Sequence, residues 1–331
     1  MADRIRWGIL STANIGRAAL VPAIVGATNA ELVGIASREA ERAFGYATRY
    51  NITNSYGSYE ALLDDPEIDA VYIPLPNSLH AEWTLRALRA GKHVLCEKPL
   101  ATSAADAVAM ADAAEARNLK LMEAFMYRFH PQISAAVTLL DNGAVGDLMH
   151  MHAAFTFRLT RTDNIRFQAE LGGGSLMDVG CYCVNIFRTL ADEEPVEAQA
   201  FARWHPNGVD EQMVGTLLFA SGLTAQFDCA LSLSRRETFL AAGTEGTLEL
   251  TRAFLPGTNS TTIVLKRGYN DVEQRTIAGV DEYRLMVEHF SDCILTGTRP
   301  LFDAREAANN LRVLEALYRS AASNGKPERI V

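Results

Sequence analysis

The chain has 331 residues, so at ~150 residues per domain roughly two domains are expected. Hydrophobic residues make up 48% and charged residues 21%, a globular balance that excludes a disordered, collagen-like or coiled-coil chain. With 31 Lys and Arg against 40 Asp and Glu the net charge is −9, opposite in sign to a phosphate-coating protein, so no nucleic-acid partner is expected. In chain order, residues 5–10 are a short apolar strand followed by a small-residue turn at 11–16. Residues 15–26 read as a helix that Pro22 breaks or kinks. Strands follow at 31–36, 70–74, 93–96 and 119–123, and helices at 39–50, 58–63, 79–90 and 103–117. Strand and helix alternate, which implies parallel strands joined by helical crossovers.

The rhythm changes after residue 125. Strands are expected at 150–159, 196–204, 213–219, 224–231, 247–250 and 261–266, several separated by turns such as Asn207-Gly208. Helices are expected at 175–190, 281–296 and 303–323. The fold class is therefore α/β. The alternation predicts a Rossmann doubly wound parallel sheet over 1–125, where a dinucleotide would bind beyond the carboxyl ends of the strands. An α+β domain with a large, mostly antiparallel, open-faced sheet is predicted over 126–331, and substrate binding and oligomerisation are expected of it. The open apolar face calls for cover, so a homodimer or higher homo-oligomer is expected.

No apolar run approaches the ~18 residues of a membrane span, so no membrane partner is expected. Arg4 and Arg6 ahead of an apolar run imitate a signal peptide, but Asn14 and Arg17 interrupt it. Cys96, Cys181, Cys183, Cys229 and Cys293 are odd in number and scattered, unlike a disulfide framework, so a cytoplasmic location is expected. His150 and His152 alternate along one strand, but two ligands do not make a zinc site and no metal is expected. Cys181-x-Cys183 reads as packing.

A dinucleotide site would lie at the first strand–turn–helix. Against G-x-G-x-x-G, the chain reads Ser11-Thr12-Ala13-Asn14-Ile15-Gly16, and only the third glycine is present. Ser11 and Ala13 are still small, so backbone amides and the helix N-terminus can hold phosphate; a plain β–α turn is the alternative. The end of the second strand carries Ser37-Arg38, where an acid would bind a ribose 2′-hydroxyl. Serine can donate to a 2′-phosphate, arginine can pair with it, and Arg42 lies one helical turn on. NADP is expected over NAD.

Three further segments stand out. Pro74-Leu75-Pro76-Asn77 with His80 follows the third predicted strand, and Glu97-Lys98-Pro99 the next, where a cis bond before Pro99 is possible. Gly172-Gly173-Gly174, Asp178, Gly180 and Tyr182 form the last. The ordered set resembles the glucose–fructose oxidoreductase, inositol dehydrogenase and MocA (Gfo/Idh/MocA) family over essentially the whole chain. Many members end the last motif in histidine. Tyr182, the stretch 123–131 and Asn164-Ile165-Arg166-Phe167 resemble instead the branch of glucose–fructose oxidoreductase, dimeric dihydrodiol dehydrogenase, NADP-dependent D-xylose dehydrogenase and aldose–aldose oxidoreductase.

Oxidation of a carbinol needs a base near its hydroxyl. A tyrosine with an ordinary pKa near ~10 becomes a better acceptor beside a lysine cation. Tyr182 is the first candidate for proton acceptor and Lys98 for electrostatic partner; the reverse assignment stays open. Asp178 lies four residues before Tyr182; on a helix both would face one side, and Asp178 could then orient a sugar hydroxyl or Lys98. The resemblance implies that these three lie beside the nicotinamide, with Tyr127, Arg128 and Phe157 on the substrate side. It implies a cofactor side made of Ser11, Thr12, Ala13, Asn14, Ile15, Gly16, Ser37, Arg38, Arg42, Pro74, Leu75, Asn77, His80, Glu97, Lys98, Pro99 and Arg166. Asn77 can equally be only a helix cap, and Arg128 and Arg166 can shape the substrate cleft or be structural ion-pair partners.

The implied activity is NADP-dependent oxidation of an aldose such as D-xylose or D-glucose at C1 to a lactone. Oxidation of a trans-dihydrodiol and aldose–aldose dismutation with a retained cofactor are the alternatives within the class. A nucleotide-sensing regulator that binds NADP without turnover is the alternative outside it.

Overall fold

The computed structural model describes residues 4–161, 163–268 and 270–331. Strands β1 (Ile5–Leu10), β2 (Ala30–Ala36), β3 (Asn54–Tyr56), β4 (Ala70–Ile73), β5 (His93–Cys96) and β6 (Leu121–Glu123) form a six-stranded sheet in the order β3-β2-β1-β4-β5-β6. Every neighbouring pair is parallel. The order reverses between β1 and β4, the switch point at which such sheets bind ligands beyond their carboxyl ends. Helices α1 (Val21–Gly26), α2 (Ala40–Tyr50), α3 (Tyr59–Leu63), α4 (His80–Arg89) and α5 (Ala104–Glu115) make the crossovers. Ile9, Val71 and Leu95 are wholly buried, as both-face cover requires.

The second sheet has nine strands. They are β7 (Leu148–Arg158), β8 (Pro195–Trp204), β9 (Asp210–Phe219), β10 (Thr224–Ala230), β11 (Ser232–Gly243), β12 (Thr247–Leu250), β13 (Thr261–Arg267), β14 (Asp271–Ile277) and β15 (Glu328–Arg329). All pair antiparallel except β10 with β7. Helices α6 (Pro131–Asp141) and α7 (Cys181–Ala191) pack on one face. On the opposite face Phe201 of β8 lies across from Val214 of β9, and they are 56% and 41% exposed.

Helices α8 (Glu282–Thr296) and α9 (Ala304–Ala322) follow. The chain forms two units, Met1–Met126 with Asp281–Ala308, and Tyr127–Val280 with Asn309–Val331. Residues 281–308 thus cluster with the parallel sheet, whereas a single division at 125 places them beyond it. The reason is apolar: the α8 residues Met286, Val287 and Phe290 are fully buried, and Phe290 meets the Trp7 ring at 5.7 Å.

Pro22 does not break the first helix. A π turn over Gly16–Leu20 runs directly into α1, with Pro22 in the first positions of the latter. The wide turn ahead of it absorbs the misfit of the ring.

Candidate active site

In the first unit the candidate residues follow the carboxyl ends of β1, β2, β4 and β5. Ser11 leaves β1 with φ 142, a conformation that favours glycine, and its Oγ accepts from Ala13 N at 3.0 Å. A serine therefore holds the place and the backbone shape of the missing first glycine. Thr12 and Ala13 complete the turn, and Asn14 and Ile15 begin the helix. A Cβ on Gly16 would come no closer than 3.8 Å to its neighbours, so this glycine is not dictated by crowding.

Ser37 is buried after β2, and its Oγ accepts from Glu39 N at 3.3 Å. Arg38 and Arg42 are both exposed. Tyr59 lies among them: burial raises its pKa, while Arg38, Arg42 and a hydrogen bond with Ser11 oppose that rise. Its ring meets Trp83 edge-on at 4.8 Å, and the Arg86 guanidinium lies 4.7 Å from the Trp83 ring. Nothing in the sequence singled Tyr59 out, because its partners come from three separate segments.

Pro74 and Leu75 follow β4, and Asn77 opens a 3-10 turn, Asn77–Leu79. His80 is fully buried. One ring nitrogen lies 2.9 Å from Leu75 O, the other 2.8 Å from Pro99 O. Burial pushes its pKa down to about 4, against the two facing carbonyls, which pull it up. This histidine, expected on the cofactor side, ties the loop after β4 to the loop after β5.

The second of these loops is anchored along its length. Glu97 accepts from the Tyr72 hydroxyl, and its Oε2 accepts from Lys98 N at 3.3 Å. Leu100 N donates to Glu123 Oε1 at 2.7 Å. The Lys98–Pro99 bond is cis. Lys98 thus projects from a segment fixed by Tyr72, His80 and Glu123, all three buried.

In the second unit the three glycines each have a local cause. Gly172 has φ 73 and ends a 3-10 turn. A Cβ on Gly173 would stand 2.5 Å from Arg166 O, and one on Gly174, at φ 118, would stand 2.2 Å from Asp210 Oδ1. A second π turn, Leu176–Gly180, carries Asp178 and runs into α7, which carries Tyr182. A Cβ on Gly180 would meet Cys229 Sγ at 2.8 Å.

Asp178 Oδ2 accepts from Arg166 Nε at 2.6 Å, with the carboxylate 13% exposed and the guanidinium 38%. The same guanidinium stands 5.8 Å from the Phe157 ring. Arg166, expected on the cofactor side or in the substrate cleft, is joined here to two substrate-side candidates. Tyr182 is 5% exposed, and its ring lies 5.3 Å from Phe155, 5.6 Å from Phe254 and 5.7 Å from Tyr127. The Tyr127 hydroxyl donates to Asn185 Oδ1 at 2.6 Å. Arg128 follows in the 3-10 turn Met126–Phe129. Among the described residues no cluster of His, Cys, Asp or Glu could hold a metal, and His150 instead pairs with Thr224 Oγ1 at 2.9 Å.

Residues 5–125 match the oxidoreductase family with an NAD-binding Rossmann fold, and residues 133–249 match its C-terminal domain. The chain belongs to the Gfo/Idh/MocA oxidoreductase family. It is 39% identical to an NADP(+)-dependent D-xylose 1-dehydrogenase of Haloferax volcanii, over 97% of this chain and 99% of the relative. Aldose–aldose oxidoreductase from Caulobacter crescentus, solved with glycerol, superposes with a TM-score of 0.91 at 32% identity, over 98% of this chain and 99% of that one. A 3-ketoreductase from Actinomadura kijaniata, solved with NADP and TDP-benzene, gives 0.91 at 32% identity, over 96% and 98%. The chain is thus a Gfo/Idh/MocA enzyme with sugar-transforming relatives. Among the described residues no helix is long and apolar enough to cross a membrane.

Proposed function

We propose that this Gfo/Idh/MocA enzyme is an NADP-dependent sugar dehydrogenase that oxidises an aldose such as D-xylose or D-glucose at C1 to the lactone. The carrying observation is the 39% identity over 97% of the chain to the Haloferax volcanii xylose dehydrogenase, joined to Ser37-Arg38 at the end of β2. The first unit has features that suit the cofactor. The β1 turn turns glycine-like at Ser11, the π turn begins on Gly16 with no side chain there, and the exposed Arg38 and Arg42 follow the buried Ser37. Ser11 to Gly16 would hold the diphosphate, and Ser37, Arg38 and Arg42 the 2′-phosphate.

When bound, the nicotinamide supplies the acceptor for the two electrons of the carbinol C–H bond. The chain's own residues supply the rest. Tyr182 takes the hydroxyl proton, and the Lys98 cation favours the tyrosinate. Asp178, held by Arg166, orients a sugar hydroxyl. The aromatic rings of Tyr127, Phe155 and Phe254 pack on the Tyr182 ring and fix it.

The exposed Phe201 and Val214 pair supports a second copy of the chain on the open face of the nine-stranded sheet. Light scattering should give a multiple of 36.2 kDa, and the mass of one chain would exclude it. The reading of function is tested by following absorbance at 340 nm with a panel of aldoses and diols, with NADP and NAD in parallel. Turnover of an aldose with NADP is expected, and Lys98→Ala should abolish it while NADP still binds. Turnover only of diols, or unchanged turnover in Lys98→Ala, would refute the reading.

A further inference from the structure

Asp210 begins β9, far in sequence from every residue of the motifs above, yet it is wholly buried beside them. Three donors converge on its carboxylate. Oδ2 accepts from Ser175 Oγ at 2.7 Å and from Leu176 N at 2.7 Å. Oδ1 accepts from the Tyr318 hydroxyl of α9 at 2.8 Å. A backbone N–H can only donate, and the two hydroxyls present their protons on the remaining lone pairs, so the arrangement suits an acceptor-only carboxylate. Burial pushes its pKa up, and the same three donors offset only part of that rise.

The position of these donors gives the carboxylate its meaning. Leu176 is the first residue of the π turn that carries Asp178, and no side chain caps that turn from its own flank. The unpaired N–H groups at a helix start are normally met by a residue immediately before it. Here the acceptor comes from a different strand. Gly174 completes the fit, since any Cβ would stand 2.2 Å from Asp210 Oδ1. Asp178 N in turn donates to Gly174 O at 3.1 Å. An unbroken chain of contacts runs from Asp210 through Gly174, Ser175 and Leu176 to Asp178, and α7 then carries it to Tyr182.

The geometry points to Asp210 as a positioning residue for catalysis, a cap supplied from β9 that sets the first turns of the helix bearing Asp178 and Tyr182. It touches neither substrate nor cofactor and acts through that helix. The role rests on the function proposed above, in which Asp178 and Tyr182 serve the reaction.

Asp210→Asn tests it. Asparagine keeps the shape, can leave its oxygen on Ser175 and Leu176, and turns its amide to Tyr318, but it removes the charge. The expected result is a fall in kcat of about tenfold or more, with KM for the aldose and Kd for NADP each within about threefold of the parent. Amide hydrogen exchange over residues 175–183 should quicken, with residues 4–126 unchanged. A folded variant with unchanged kcat and unchanged exchange at Leu176 would overturn the role. Should Asp210→Asn not fold, Tyr318→Phe carries the test, because it removes one donor and leaves the carboxylate. A smaller fall in kcat at constant KM supports the role, and an unchanged kcat overturns it. If the parent enzyme turns over no aldose, the functional reading fails by itself, and the exchange measurement still decides whether Asp210 holds the helix.

Discussion

The Arg166 guanidinium grips the Asp178 carboxylate through Nε at 2.6 Å while standing 5.8 Å from the Phe157 ring. One cation thus serves a carboxylate and an aromatic face together. Asp178→Asn keeps the shape of the side chain and releases the charge-assisted half of this contact. About a tenfold loss in kcat/KM for the sugar is expected, with Kd for NADP unchanged. A weakened NADP affinity with unchanged sugar kinetics would instead return Arg166 to the cofactor side.

Tyr182→Phe keeps the ring that packs on Tyr127, Phe155 and Phe254 and deletes only the hydroxyl. Loss of a proton acceptor lowers kcat by about 10²–10⁴-fold. The melting temperature should stay within a few degrees of the parent. Retention of more than a tenth of kcat would shift the role to Lys98.

Arg38→Ala removes one of the two exposed cations beside buried Ser37. A charge-assisted contact with phosphate is worth about 1.5–3 kcal/mol, so Kd for NADP should weaken by about tenfold or more. NAD, without that phosphate, should bind as before. Isothermal titration with both nucleotides decides it, and parallel losses for both would deny Arg38 its selectivity.

Acid should destabilise the fold through two histidines. Burial lowers the pKa of both His80 and His93 to about 4. Their ordinary value is near 6.5, so between pH 6.5 and 4 the unfolded chain binds more protons than the native one. The stability they lend is complete above that window and is lost as pH falls through it. The His93 Nδ1 accepts from Lys120 N at 2.9 Å, a contact that protonation removes. Allowing for partial exposure of the ring, its share is about 2 kcal/mol. His93→Gln keeps an acceptor and cannot titrate, so its melting temperature should fall less between pH 7 and 4.5. An identical pH dependence in parent and variant would contradict this.

The parallel sheet was legible because its central strands are short, continuous apolar runs: residues 5–10 and 70–74 announce themselves as β1 and β4. The strands that escaped are those whose residues are polar. β3 is Asn54-Ser55-Tyr56, β14 is the charged run Asp271–Ile277 at a sheet edge, and β11 passes through Arg235, Arg236 and Glu237. The pairing partner decides such strands, and a single sequence does not display it. The glycines at 172–174 were visible as a motif, but their cause was not. Gly173 and Gly174 answer to Arg166 O and Asp210 Oδ1, and only the folded chain brings those atoms near. Asp210 and Tyr59 were missed for the same reason, since each acts on residues remote in sequence.

The imidazole between Leu75 O and Pro99 O makes the turns after β4 and β5 a single heritable block. A chimera that imports one turn from a relative and leaves the other native would set this fully buried ring against a displaced carbonyl, at the cost of an unmet polar group. Recombination aimed at new substrate scope should therefore place its crossovers outside residues 74–100 and move the ring together with both turns.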